Sequence, residues 1–363
     1  MKVSKLYLEN FLSYENLYCE FSDGLNVLVG RNAAGKTNLA ESIFYCSVGK
    51  SARGLKDKEL INWNASDGAR IRLRVEKKYS SHTVDIRIDK QGKKRITIDE
   101  LPISRMGELM GVLNTVYFSP DEMRLIKESP ADRRRFIDMS LCQRDKLYFY
   151  KLNDYNRLLV QRNKLLKNYR QSPSLNDMCG IINVKLAELQ DFIIKKRLEF
   201  IEKISPLADA RHRKITGNKE GLTLSYETED VDVNDVKNSV LALYEQNFEK
   251  DCRLEYTTVG IHRDDLKISA GGIDVRKYGS QGQQRTSALS LKLAETDSFY
   301  LSTGEYPLLI LDDVASELDG ERQKALFENL DGIQTVVTAT SVSPDFVGAT
   351  VYDIKDNNIF KRS

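Results

Sequence analysis

Apolar and polar residues alternate from the start of the chain, and the alternation predicts β-structure. Lys2–Leu8, Tyr18–Phe21 and Asn26–Val29 read as strands, with turns at Ser13-Tyr14-Glu15-Asn16 and Asp23-Gly24. Residues 69–77, 82–88 and 94–98 alternate again and predict an antiparallel sheet with one wet, basic face. A short helix is expected over 104–111 and a strand at Val116-Tyr117-Phe118. At Ser119-Pro120-Asp121 the period changes from two to nearly four, and 121–215 reads as almost wholly helical. One helix is expected to begin at Phe136-Ile137-Asp138-Met139. A long one runs from Asp145 to Arg170, with Leu147, Leu152, Tyr155, Leu158, Leu159, Leu165 and Leu166 on its apolar face. Gln171-Ser172-Pro173-Ser174 breaks it, and a second runs from Asp177 to Ile204, which predicts an antiparallel helical hairpin. Strands follow at 221–227 and 255–261 around a helix near 233–250, then at Leu266–Ser269 before a turn at Gly271-Gly272. The remainder reads as a helix Thr286–Tyr300, an apolar strand Tyr306–Leu311, a helix over 320–330 and strands Thr335–Thr340 and Thr350–Lys355, the last.

Between the third strand and the first helix stands Gly30-Arg31-Asn32-Ala33-Ala34-Gly35-Lys36-Thr37-Asn38. This is G-x-x-x-x-G-K-[ST], a phosphate-binding loop. Glycines let the backbone curl so that successive N–H groups converge on phosphate oxygens. Lys36 is expected to reach the β- and γ-phosphates, and the Thr37 hydroxyl to ligate Mg²⁺. The helix N-terminus adds its positive dipole end. The polar stretch 50–61, KSARGLKDKELI, either returns near the phosphates or is an ordinary solvated loop.

Composition narrows the class. The 363 residues suit two domains or one large domain with an insertion, and 41% hydrophobic content supports a sizeable core. Thirty per cent charged residues, and no apolar run of eighteen, argue against a membrane span. MKVSKLYLENF reads as a strand and not as a signal peptide. Cys19, Cys46, Cys142, Cys179 and Cys252 form no C-x-x-C pair, which points to reduced cytosolic thiols and away from zinc. The net charge is only +2, but 121–215 holds 21 Lys and Arg against 13 Asp and Glu, so the helical segment is basic and the remainder acidic. His82, His212 and His262 lie far apart with no carboxylate spacing of a nuclease metal cluster.

A phosphate loop needs an acidic partner on a neighbouring strand. Pro307-Leu308-Leu309-Ile310-Leu311-Asp312-Asp313 supplies two carboxylates at a strand's C-terminal edge, where ligands bind in parallel sheets. Asp312 is placed to hold Mg²⁺ opposite Thr37, and Asp313 to orient or deprotonate an attacking water. Ser280-Gln281-Gly282-Gln283, just before a helix, makes an anion nest, a helix cap, or both.

The order phosphate loop, insertion, serine signature, acidic strand and Ser316-Glu317-Leu318-Asp319 resembles the ATP-binding-cassette ATPases. Without membrane segments or a long coiled coil, the chain most resembles the RecF family within the SMC/Rad50-like group. The resemblance rests on Leu6-x-Leu8-x-Asn10-Phe11, Lys56–Ile61, Phe118-Ser119-Pro120, Ser129–Asp138, Gly260–Asp265, Ser280–Gln283 and Leu311-Asp312-Asp313. It implies an α/β cassette-type ATPase head (1–119 and 259–363) with an inserted short helical arm (120–258). It implies ATP and Mg²⁺ as ligands and an ATP-dependent homodimer in which Ser280, with Gln281, Gly282 and Gln283, caps the γ-phosphate held by the partner. Asp313 and Lys36 would be catalytic. It further implies binding of duplex, gapped or junction DNA, and partnership with RecR and RecO in loading recombinase during repair and replication in the cytoplasm. Asp313 stands where most cassette ATPases have Glu, and Thr338, Thr340 and Ser341 stand where many have a switch histidine, so weak turnover is expected. An ATPase driving a nuclease or transport partner is the alternative. His262-Arg263-Asp264-Asp265 suggests either a buried charge network joining arm to head or a contact across the dimer, or else a surface turn with intrachain pairs. Arg133, Arg134 and Arg135 are candidates for DNA phosphate contact, against the option that they are solvated or paired with Asp132 or Asp138.

Overall fold

The computed structural model describes the chain except residues 121–123, 169–174, 229–230, 315–317 and 363. The expected break at Gln171–Ser174 and the Ser316-Glu317 pair therefore lie outside the described residues. Two six-stranded sheets form the frame. The first is antiparallel, in the order β2 (Tyr14–Glu20), β1 (Lys2–Phe11), β4 (Ala69–Glu76), β5 (Ser81–Ile88), β6 (Lys94–Ile98) and β7 (Leu101–Pro102). The second runs β15 (Asn358–Lys361), β14 (Thr350–Lys355), β3 (Leu25–Val29), β13 (Thr335–Ala339), β12 (Leu308–Asp312), β8 (Thr115–Phe118). All its neighbouring pairs are parallel except β15 with β14.

Helix α1 (Lys36–Val48) packs on strands of both sheets, which is why its residues are buried almost all round. Parallel strands covered on both faces read as continuous apolar runs, and β12 and β13 are buried at every position. In β4 the alternation Ala69, Ile71, Leu73, Val75 points inward, and Arg72 and Arg74 point to water.

The helical segment comprises α2 (Arg124–Lys127), α3 (Pro130–Cys142), α4 (Lys146–Asn168), α5 (Leu175–Thr216), α6 (Val236–Gln246) and α7 (Phe248–Leu254). The long helices α4 and α5 pack together as the hairpin expected. A third sheet of β11 (Ile273–Asp274), β10 (Asp265–Ala270) and β9 (Leu222–Glu227) precedes α8 (Val275–Tyr278), α9 (Gln281–Thr303) and α10 (Gly320–Phe327).

Several expectations are corrected. Helix α5 does not stop at Ile204 but continues through Pro206 to Thr216. Its buried stripe resumes beyond the proline at Ala208 and at His212, which meets Ser290 of α9 at 3.1 Å, and packing on α9 outweighs one lost backbone bond. Residues 255–261 are a loop and not a strand, because polar capture replaces ladder pairing. Thr257 N donates to Asn163 Oδ1 at 2.8 Å, and Thr258 N to Asp251 Oδ1 at 2.9 Å. The first turn is tighter than expected: Asn10 and Leu12 take positive φ, and Tyr14 already belongs to β2. Helix α3 begins at Pro130, where Ser129 and Asp132 form a capping box. The helix expected near 233–250 is two helices, and that over 104–111 is only a 3-10 turn, Met106–Glu108.

Buried arginines bind these pieces together. Arg162 and Asp251, both fully buried, meet at 2.6 Å, and the guanidinium also donates to Asn183 Oδ1 and to Thr257 Oγ1, each at 2.7 Å. Arg197 forks onto Asp138 at 2.9 and 3.0 Å and donates to Ile261 O. Arg211 forks onto Asp297 at 2.6 Å, tying α5 to α9. The Gly260–Asp265 segment is thus part of a buried network within one chain: Asp264, nearly inaccessible, accepts from Tyr226 and sits 3.6 Å from Arg197.

His262 joins this layer in one tautomer. Its Nε2 faces Thr257 O at 3.1 Å and must donate, so Nδ1 accepts from Tyr155 Oη at 2.7 Å. Burial pushes its pKa down to about 4. The unfolded chain, near 6.5, binds the proton first, so stability is full above about pH 6.5 and falls on acidification towards pH 4. The loss should reach about 3 kcal/mol at most. Urea unfolding across that window should show the slope, and His262→Gln should flatten it.

Candidate nucleotide site

The site forms at the C-terminal ends of β3 and β12. Gly30 lies so close to β14 that a Cβ there would stand 2.6 Å from Ile354 O. Gly35 has φ +102°, and its Cβ would stand 2.8 Å from Tyr14 Oη, which donates to the Gly35 carbonyl. Arg31, Asn32 and Ala33 are exposed on the loop, Ala34 is half-buried, and Thr37 and Asn38 are half-buried at the helix start. Lys36 is buried, and its ammonium donates to the Gly30 and Arg31 carbonyls at 2.7 and 2.9 Å. Burial lowers its pKa, against the opposing pull of Asp313 and Asp312.

Asp312 carries three hydroxyl donors. Oδ1 accepts from Thr37 at 3.0 Å and from Thr338 at 2.8 Å, and Oδ2 accepts from Tyr117 at 2.7 Å. Thr338 Oγ1 also accepts from Asp313 N at 2.8 Å and so holds the adjacent backbone, where Asp313 has φ +55°. Tyr117 was not among the expected site residues, and Thr338 was expected only at the switch position and not as a donor to Asp312. The cause is register: Thr338 pairs with Asp312 across β13–β12, and Tyr117 lies one strand beyond on β8. Among the described residues no group of three or more His, Cys, Asp or Glu could hold a metal alone. Thr37 with Asp312 suits Mg²⁺, an ion that takes one or two protein oxygens and completes its shell with phosphates and water.

Two segments border the loop. Residues 50–61 do return towards it: Arg53 donates to Asn38 Oδ1 at 3.1 Å and lies 3.5 Å from buried Glu41. A cavity of about 620 Å³ lies between Gly30–Ala34, Thr340 and the β14–β15 turn. That turn, Asp356-Asn357, has positive φ at both residues, the signature of a two-residue hairpin, so β14 is not the last strand.

Ser280 caps α9, which begins at Gln281 and not at Thr286. Its Oγ accepts from Gln283 N at 3.2 Å, and Gln283 Oε1 accepts from Ser280 N at 2.9 Å. Gln283 Nε2 donates to Glu220 at 2.9 Å. Ser280 and Gln281 are exposed, and Gly282 faces Arg322, whose guanidinium would lie 3.0 Å from a Cβ there. Among the described residues no hydrogen bond joins Ser280–Gln283 to the phosphate loop of the same chain.

The arginine run divides. Arg133 is buried, forks onto Asp265 at 2.6 and 2.9 Å and donates to the Leu125 and Glu128 carbonyls, so it is not a DNA contact. Arg134 is half-buried against Asp264 O at 2.6 Å. Arg135 is exposed, with one bond to Ala52 O.

Residues 2–346 match the RecF/RecN/SMC N terminal domain family. A DNA replication and repair protein RecF of Clostridium botulinum (strain Loch Maree / Type A3) is 42% identical over 342 residues, which is 94% of this chain and 93% of that protein. A solved recombination mediator RecF bound to ATPrS superposes with a TM-score of 0.92 at 34% identity, over 100% of this chain and 98% of its own. The ATP-bound form, also 34% identical, gives 0.91 over 99% and 97%. A phosphate loop joined to its acidic strand inside an SMC-like cassette head, with identity at this level along nearly the whole length, shows that the chain belongs to the RecF family.

Proposed function

We propose that the protein is an ATP-dependent dimerising DNA-binding protein of recombinational repair and replication maintenance, with weak ATP hydrolysis as its release step. The observation that carries this reading is an asymmetry. Thr37 and Asp312 complete one half of a nucleotide site at 3.0 Å within one chain, while Ser280 stands exposed on a helix N-terminus with, among the described residues, no hydrogen bond to that half. A second copy can bring its Ser280–Gln283 segment to the open side. The ATP-bound relatives support the ligand.

In this reading Gly30 to Asn38 bind the triphosphate: backbone N–H groups and Lys36 Nζ hold the phosphates, exchanging the Gly30 and Arg31 carbonyls for phosphate oxygens. Thr37 and Asp312 would hold Mg²⁺, which when bound neutralises phosphate charge. Tyr117 and Thr338 keep Asp312 oriented, and Asp313 positions the attacking water. The short Asp313 side chain and the hydroxyls of Thr338, Thr340 and Ser341 favour slow turnover, suited to a switch. Residues 1–119 and 259–363 then act as the ATPase head, with 120–258 as arm, and the β9–β10 pairing couples the two. RecR, with RecO, is the partner in recombinase loading on this reading, which a solved relative named as a recombination mediator of the RecFOR pathway supports. No helix among the described residues is long and apolar enough to cross a membrane, and the free cysteines suit the cytoplasm.

Light scattering tests the reading. With ATP and duplex the particle mass should double relative to ADP, and duplex affinity should fall steeply with salt. A chain that stays single with ATP, with and without duplex, overturns it.

A further inference from the structure

A groove of about 920 Å³ lies on the antiparallel sheet, away from the phosphate loop's own residues. Its walls are the start of β4, the β5–β6 hairpin and the segment Pro102–Met106. The cations in it are unequally engaged. Arg70 forks onto Asp85, and Lys94 is held by Asp57 at 3.0 Å and by the Gly49 carbonyl. Lys93, Arg95 and Arg105 are exposed and form no ion pair among the described residues.

The loop that supplies Asp67 and Gly68 to one wall also carries Trp63, the only tryptophan, which is 98% exposed. This loop is built rather than loose. Asn62 N donates to the carbonyl of Asn10, another wall residue, at 2.8 Å, and Asn62 Nδ2 to Leu12 O at 2.8 Å. Asn62 Oδ1 accepts from Asn64 N at 2.9 Å, and Gly68, at φ +121°, lies tight against the Ile88 carbonyl. A built turn therefore holds a large aromatic face in water, on a loop whose two ends meet the groove's wall at Asn10 and at Asp67-Gly68.

We propose that this groove takes a single strand of nucleic acid, with phosphates along Lys93, Arg95 and Arg105 and an unpaired base stacked on Trp63. The proposal rests on the DNA-binding reading above and specifies where a strand without its complement is read. Only an unpaired base, or the end of a duplex, offers a free π-face, whereas a duplex interior presents phosphates and groove edges. An acidic peptide would answer the cations and leave the indole in water.

The single tryptophan is its own reporter. Full-length protein with ATP is titrated at low salt with oligothymidylate, with blunt duplex of equal length and with polyglutamate, following indole fluorescence and the anisotropy of labelled DNA. Oligothymidylate should quench Trp63, and Trp63→Ala should weaken its binding roughly tenfold, with Trp63→Phe in between. Replacing Lys93, Arg95 and Arg105 together by Ala should lower the salt slope by about two. Wild-type affinity in Trp63→Ala, or equal quenching by polyglutamate, overturns the proposal. Duplex binding without oligothymidylate binding overturns it and leaves the proposed function standing, whereas loss of both with ATP present removes both.

Discussion

Lys36→Met should weaken ATP binding about a hundredfold while leaving the fold intact, since a hydrogen bond to a charged group contributes about 1.5–3 kcal/mol and the ammonium serves both outer phosphates. Methionine fills nearly the same volume along the same stem. The loop does not depend on the charge for its shape: Gly30 is fixed by its contact with β14, and Gly35 by Tyr14. What methionine removes is a buried cation that already bears a desolvation cost, visible in its lowered pKa, and that is bonded to two carbonyls. Those carbonyls lie beside the exposed loop and can be rehydrated, so the stability change should be small. Calorimetric titration with ATP, alongside a melting curve, separates the two effects. Affinity within about threefold of wild type would show that Lys36 is a structural lysine and not a phosphate ligand.

How much of this was legible in the sequence depends on how local each feature is. The phosphate loop was legible because its constraint is local: a curl that only glycine tolerates, between a strand and a helix. The acidic strand was legible because a strand covered on both faces must be apolar until it ends. Thr37 opposite Asp312 was legible too, but the other two donors on that carboxylate, Tyr117 and Thr338, were not. Tyr117, Thr338 and Thr37 stand on three different elements, and only the parallel register brings them to one carboxylate. Arg133, Arg134 and Arg135 could not be told apart from the sequence, for a geometrical reason. Successive helical residues point about 100° apart, so one of three must face inward, and Arg133 does, onto Asp265. Residues 255–261 misled because Thr257, Thr258, Val259 and Ile261 have strand-like side chains. Their backbone donors were claimed instead by Asn163, Asp251 and Gln190, none of which is nearby in sequence order except Asp251.

Ser280→Arg should abolish ATP-driven dimerisation and leave ATP affinity within about threefold. A twofold-symmetric dimer makes each contact twice, so losing one charge-assisted bond per site removes about 3–6 kcal/mol, or roughly two to four orders of magnitude in the dimer constant. ATP affinity should survive because, among the described residues, no hydrogen bond joins Ser280 to the phosphate loop of its own chain. The side chain is exposed, so arginine has room, but the helix loses its cap at a cost of about 1 kcal/mol. Ser280→Asn controls for that loss, since asparagine caps a helix equally well while placing an amide where the hydroxyl would meet phosphate. Sedimentation with ATP should find Ser280→Arg single, Ser280→Asn weakened, and both folded by their melting curves. An ATP-dependent dimer of Ser280→Arg with wild-type affinity would show that this loop only caps its helix. The two-copy site would then have to be closed by other residues.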